Sequence, residues 1–269
     1  MLQEIVFRHL SAPCRLVCPQ GGGLLLLKGN QSRGESIDPT VAQIADGCMD
    51  REGRLYLICR IQGGGWVLIL HQDNSWQKFP LLSGSCGAPH LPFDRIPLMV
   101  WDAPEEDGRR IQARDLSITD GPCHTLAHLP KDASWCCAGE GTLFNICYID
   151  TEHTLRSLWG DVRGLPRCRN RTLLQGKTCT SLSSLLSQEI LYVLTRCGNT
   201  DYLITCPLSG TPLRIYDLVG LQQPSLSIHH QRPTLRYQKD GQWLQRDLTP
   251  HIGPPWECPS PISGIRDFT

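Results

Sequence analysis

The chain has 269 residues, 40% of them hydrophobic and 19% charged, so it is long and apolar enough to bury a core and too apolar for a disordered segment. Its 26 basic side chains balance 26 acidic ones, which argues against a nucleic-acid binder or a polybasic membrane binder, whose footprint is a strong positive excess. The 25 Gly and 20 Pro indicate many short elements separated by turns.

The chain starts MLQEIVFRHLSAPC, with Glu4 where a secretory leader carries basic residues and no apolar stretch after it. Residues 4–10 (EIVFRHL) instead suit a strand. Apolar runs such as 24–27 and 66–70, none longer than five residues, fall far short of the ~18 residues that suggest a membrane span. A cytoplasmic location is therefore expected. There the 14 Cys are expected as reduced thiols, many acting as small core residues, such as Cys59, Cys147 and Cys206 inside apolar runs. The sequons at Asn30 and Asn170 carry no weight without secretion.

No long stretch shows a helical apolar stripe, and short apolar runs recur between turn residues. A first hairpin is CRLVCPQ-GGG-LLLLKG, from Cys14. The clearest unit follows: strands at 41–48, 54–61, 66–72 and 76–82, with turns QGGG and DNS between the later ones. Gly84-Ser85-Cys86-Gly87 reads as a link, because no base or orienting group stands near the Cys. Further units are IPLMVWDAP-EEDG-RRIQARDL from Ile96, TLFNICYI-DTEH-TLRSLWGD-VRGL-PRCRNRTLL over 142–174, and EILYVLTRC-GNTD-YLITCPL-SGT-PLRIYDL over 189–218. The last is TLRYQKD-GQ-WLQRDL from Thr234. The best candidate for a helix is 181–186.

The second strands of these units start at Arg15, Arg54, Ile96, Thr142, Ile190 and Thr234, at intervals of 39 to 48 residues. Repeats of this length with four strands each are what β-propeller blades show. The chain thus resembles the β-propeller superfold. It is expected to be all-β, with about six four-stranded blades; the short first and last units leave five or seven open. The resemblance implies one domain over 1–250, a Pro-rich irregular tail over 251–269, and a ring closed where the termini meet. The N-terminal strand should supply that closure, so removing 1–11 is expected to harm folding more than removing 258–269. One turn, His71-Gln72-Asp73-Asn74-Ser75-Trp76, resembles a degenerate Asp-box of sialidase-like propellers, a folding element that implies no activity.

Candidate chemistry is sparse, and no catalytic residue, cofactor or metal is expected. The densest set of potential metal ligands is Cys123, His124, His128, Cys136 and Cys137. If 124–128 is a strand, its two His share a face but sit about 13 Å apart. His229-His230 alternate faces. Arg167, Arg169 and Arg171 alternate along PRCRNRT, so a strand points all three one way, either as a guarded outer edge or as a patch for an anionic partner. The expected function is a non-catalytic interaction or scaffold module, with protein as the partner class. The alternative is a propeller binding a small molecule or carbohydrate, with Trp66, Trp76, Trp101, Trp159 and Trp243 as stacking surfaces. A second alternative, a sialidase- or glycosidase-like hydrolase, needs clustered carboxylates and arginines.

Overall fold

The computed structural model describes residues 4–9, 12–29, 33–118, 120–209, 213–229, 232–248, 252–258 and 265–267. Asn30 and His230, both singled out above, lie outside them. The chain divides into two compact units. One comprises Met1–Glu105, Arg110–Thr125 and Ile262–Thr269; the other comprises Glu106–Arg109 and Leu126–Pro261.

In the first unit, β1 (Glu4–His9), β2 (Ala12–Val17), β3 (Leu24–Lys28) and β4 (Glu35–Asp38) form an antiparallel meander, sheet 1. Sheet 2 is β5 (Val41–Met49), β6 (Leu55–Ile61), β7 (Trp66–Gln72) and β8 (Ser75–Leu82). Sheet 3 has three strands, β9 (Leu98–Pro104), β10 (Arg109–Asp115) and β11 (His124–Leu129), with Arg109 and the last four residues of β11 assigned to the other unit. A fourth was expected there. Its place next to β9 is held by one bridge, in which His90 and Val100 exchange N–H···O bonds of 2.8 and 2.9 Å. Pro89 and Pro92 flank His90 and have no N–H to extend a ladder.

The second unit holds three four-stranded sheets. Sheet 4 is β12 (Trp135–Glu140), β13 (Leu143–Ile149), β14 (Leu155–Asp161) and β15 (Cys168–Leu174). Sheet 5 is β16 (Cys179–Ser187), β17 (Ile190–Cys197), β18 (Thr200–Pro207) and β19 (Arg214–Asp217). Sheet 6 is β20 (Gln222–His229), β21 (Arg232–Lys239), β22 (Gln242–Asp247) and β23 (Trp256–Glu257). Among the described residues there is no α-helix, only a 3-10 turn at Val162–Gly164. The helix expected at 181–186 is instead the middle of β16. Ser181 to Ser187 pair residue for residue with β17, and Leu186 and Ser187 are buried. Ladder pairing with β17 and burial of Leu186 override a weak local helical pattern.

Two strands lie in the C-terminal segment expected to be irregular. Trp256–Glu257 completes sheet 6. The last, β24 (Ile265–Asp267), adds to β1 in parallel and makes sheet 1 five-stranded. Glu4–His9 is thus flanked on both sides, by β2 and by β24. Each terminal segment supplies a strand to sheet 1, so the small penalty expected for removing 258–269 does not fit this pairing.

The core explains why the central strands read as unbroken apolar runs. In β6, Leu55, Leu57 and Cys59 pack with Ile5, Leu16 and Leu24 of sheet 1. The intervening Tyr56 and Ile58 pack with Met99 and Trp101 of sheet 3. In β17, Leu191 and Val193 meet Cys147 and Leu155 of sheet 4, while Tyr192 and Leu194 meet Leu235 and Tyr237 of sheet 6. A strand with both faces covered has no polar alternation, and each fully buried Leu or Ile contributes about 1.5–3 kcal/mol.

Turn chemistry closes the hairpins. Asp73-Asn74, Gln188-Glu189 and Asp240-Gly241 each hold positive φ at both positions, the two-residue turn whose twist matches antiparallel strands. The first lies between β7 and β8, at the place expected for the Asp-box-like turn, and there His71 packs on Trp76 with centroids 4.4 Å apart. A second device occurs twice. The Asp50 carboxylate accepts from the N–H of Glu52 (3.0 Å) and Arg54 (2.9 Å) and from Arg54 Nε (2.6 Å). Asp150 likewise accepts from the N–H of Glu152 and Thr154, both at 2.9 Å, and from Arg156 Nε. Asp50 closes the turn between the first two strands of sheet 2, and Asp150 the turn between the second and third of sheet 4. The shared D-x-E pattern is therefore local turn chemistry rather than a blade-phased signature.

These turns generate a stability prediction. Asp50→Ala and Asp150→Ala should each lower unfolding free energy by about 1–3 kcal/mol in urea titrations, the cost of orphaning charge-assisted bonds. Burial alone would raise the Asp150 carboxyl, but Arg156 and the Thr154 and Glu152 amides outweigh it and hold it below its ordinary value. A group depressed in the folded state stabilises above its unfolded pKa, about 3.9, and loses that contribution as pH falls through the folded value. Wild-type stability should thus fall below about pH 4, with a shallower acid limb in Asp150→Ala.

The thiols generate another. The 14 cysteines form no disulfide. Cys179 and Cys197 lie directly opposite in the β16–β17 ladder with sulfurs 2.9 Å apart, and burial pushes the Cys197 thiol up to about 12. Cys123 alone is exposed. A thiol reagent should label Cys123 first in the native protein. Diamide should take two protons and two electrons from Cys179 and Cys197, giving a cross-link visible by peptide mass spectrometry and absent in Cys179→Ser.

Candidate functional site

The potential metal ligands are dispersed. His124 and His128 lie four positions apart on extended β11, and Cys136 and Cys137 on β12 of another sheet. Cys136 pairs with Cys147 and Cys137 with Ile146, so the two adjacent thiols project to opposite faces. Cys136 donates to Ser184 Oγ at 3.3 Å. Among the described residues, no three His, Cys, Asp or Glu side chains group as an ion site.

The arginine row lies on and just before β15, the outermost strand of sheet 4. Arg169 and Arg171 face the same side. Arg169 stacks over Trp159, 5.2 Å from the ring centroid. Arg171 reaches the next sheet, donating from Nη1 to Cys206 Sγ at 2.8 Å and the Pro207 carbonyl at 3.4 Å. Arg167 and Arg169 are exposed. The nearby Arg163 is committed to Asp161, whose carboxyl it holds well below the usual range. No carboxylate among the described residues pairs with Arg167, Arg169 or Arg171. Elsewhere arginines do pair within their hairpins: Arg54 with Asp50 at 2.6 Å, Arg196 with Asp201 at 2.8 Å, Arg232 with Asp247 at 3.4 Å.

Trp243, on β22, is half-buried. Trp66 and Trp101 are buried, and Trp66 Nε1 donates to the Cys86 carbonyl at 3.4 Å. Trp76 and Trp159 are half-buried against the cores of sheets 1–2 and 4–5. Gly87, in the link after sheet 2, has a structural role: a Cβ there would sit 1.8 Å from the Asp102 carboxylate.

A feature that no local pattern signals is a cavity of about 150 Å³ in the second unit. Ile190, Tyr192, Thr205, Pro207, Arg214 and Tyr216 of sheet 5 line it, with Leu248 and Ile252 from the chain beyond β22. Register builds its polar wall, because Tyr192 pairs with Thr205 and Thr205 with Arg214, one row across three strands. Tyr192 is 1% exposed, and its hydroxyl has no hydrogen-bond partner among the described residues. Burial pushes the phenol up to about 12, so it stays a donor at neutral pH. Sequence reasoning missed this site because its residues span more than sixty positions and each sits in an ordinary strand pattern.

No protein-family model matches the chain, and no curated protein sequence does either. Solved structures do match. The chain is similar to a prolyl endopeptidase with TM-score 0.60 and 12% identity, over 95% of this chain and 42% of that one, so it spans under half of that enzyme's length. It is similar to the Cps50 (Swd1) β-propeller domain of Myceliophteria thermophila, with TM-score 0.56 and 15% identity over 99% and 90% of the two chains. The Aleuria aurantia lectin, solved with α-methyl-L-fucoside, gives TM-score 0.53 and 11% identity over 97% and 96%. At such identities likeness speaks for fold alone, and with the all-β meanders described above it establishes that fold: this chain is a β-propeller.

Proposed function

We propose that this β-propeller is a non-catalytic interaction module that docks an acidic protein surface on β15. The observation that carries this reading is the row Arg167, Arg169 and Arg171, which has no carboxylate partner among the described residues, while Arg54, Arg156, Arg163, Arg196 and Arg232 each pair with an Asp. Stacking on Trp159 limits the freedom of the Arg169 guanidinium while leaving its N–H edge for a carboxylate, which lowers the ordering cost of binding. Such a patch also guards an outer strand against edge pairing, so one row serves two ends. A reducing, cytoplasmic setting belongs to this proposal, and 14 cysteines with no disulfide among them support it. No helix is long and apolar enough to cross a membrane among the described residues.

Two alternatives compare unequally. Ligand binding has one observation in its favour, the cavity beside Tyr192. Glycoside hydrolysis needs paired carboxylates, and the lining of that cavity has none.

The test is charge reversal. Arg167→Glu with Arg169→Glu alters two exposed side chains, so the melting temperature should stay within about 2 °C of wild type, as is usual for surface changes. Affinity for the partner recovered from native cells should drop about tenfold or more and should weaken with salt in wild type. Unchanged recovery of the same partners would remove β15 from the interface.

A further inference from the structure

We propose that the cavity between sheets 5 and 6 is a binding site for a small organic monocarboxylate with a compact apolar body. The site is independent of the docking role of β15. It lies in the second unit, on the face of sheet 5 that meets sheet 6.

Size comes first. About 150 Å³ equals roughly five water molecules at their liquid volume, or a ligand the size of benzene to a benzoate. Chemistry comes next. Ile190, Pro207, Leu248 and Ile252 make the apolar wall, and Tyr192, Thr205, Arg214 and Tyr216 make the polar one. Three hydroxyls and a guanidinium converge with no acid among the lining residues. The lining thus carries one positive charge and one buried O–H donor left without a partner, and a carboxylate, which only accepts, answers both. The Tyr192 hydroxyl is the deciding atom, because a buried donor without a partner costs about 1–3 kcal/mol. A carboxylate oxygen accepting from Tyr192, its apolar body against Ile190, Pro207, Leu248 and Ile252, relieves that cost. Arg214 stands at the exposed side of the row, where a guanidinium attracts an entering anion and pairs with it.

The experiment follows melting temperature and isothermal titration with sodium butyrate, isovalerate, hexanoate, benzoate and phenylacetate at constant ionic strength, with benzyl alcohol and a neutral methyl glycoside beside them. At least one carboxylate should bind saturably below about 10 mM and raise the melting temperature. The neutral compounds should bind at least tenfold more weakly. Tyr192→Phe keeps the ring and removes only the orphaned hydroxyl. Without ligand it should melt at or above wild type, and it should lose carboxylate affinity at least tenfold. Arg214→Gln, an exposed change, should weaken the carboxylates while leaving the neutral compounds unaffected. The proposal is overturned if no carboxylate saturates, if the methyl glycoside binds better than every carboxylate, or if Tyr192→Phe binds as wild type does. A Tyr192→Phe protein that melts lower and shows no carboxylate response in its parent would mean that an ordered water alone satisfies the hydroxyl, which also overturns it.

Discussion

A four-stranded sheet has two faces and not enough chain to cover either, and the rest of this structure depends on that shortage. In sheets 2 and 5 consecutive residues of one strand serve two different cores. Leu57 faces sheet 1 while Ile58 faces sheet 3; Val193 faces sheet 4 while Leu194 faces sheet 6. Face-to-face stacking of sheets within each unit is the way both halves of such a strand leave water. The hydrophobic gain accrues per neighbour rather than per sheet.

Polar groups are consequently pushed to two places, the outermost strands and the ends of the sheets. The outer strands β8, β15 and β19 are largely exposed, and charge collects there. Lys78 of β8 bridges to Asp38 at 2.7 Å, and Arg169 stacks on Trp159. At sheet ends the carboxylates of Asp50 and Asp150 collect backbone N–H groups that the ladders leave over. Each device answers the same requirement, that a backbone group or charge leaving the ladder find a partner or water. The Tyr192 hydroxyl is an exception among the described residues, and so is the cavity it lines.

Strand positions were largely legible. LYLICRI and WVLILHQ, ILYVLTRC and YLITCPL are apolar on both parities and bounded by turn residues, and they became β6 and β7, β17 and β18. Strands on the flanks of the sheets were harder. β12, β16 and β20 carry Cys, Ser, Gln and Gly and are only partly buried, so neither parity stands out, and by itself the middle of β16 suits a helix as well as a strand. That a single bridge between His90 and Val100 stands beside β9 has no local signature in the sequence.

The same division runs through the candidate site. The sequence by itself determined the all-β class, the repeat of strand meanders, and the alternation that sets Arg169 and Arg171 on one side of β15, because turn residues and side-chain parity act over a few bonds. Only the tertiary structure decided that Arg169 stacks on Trp159 while Arg171 reaches Cys206. It alone placed β24 beside β1 and left the buried Tyr192 hydroxyl without a hydrogen-bond partner among the described residues. These outcomes depend on which sheet lies against which face and how completely the two fill the gap. That is fixed by packing between residues far apart in the chain, where no local pattern carries information.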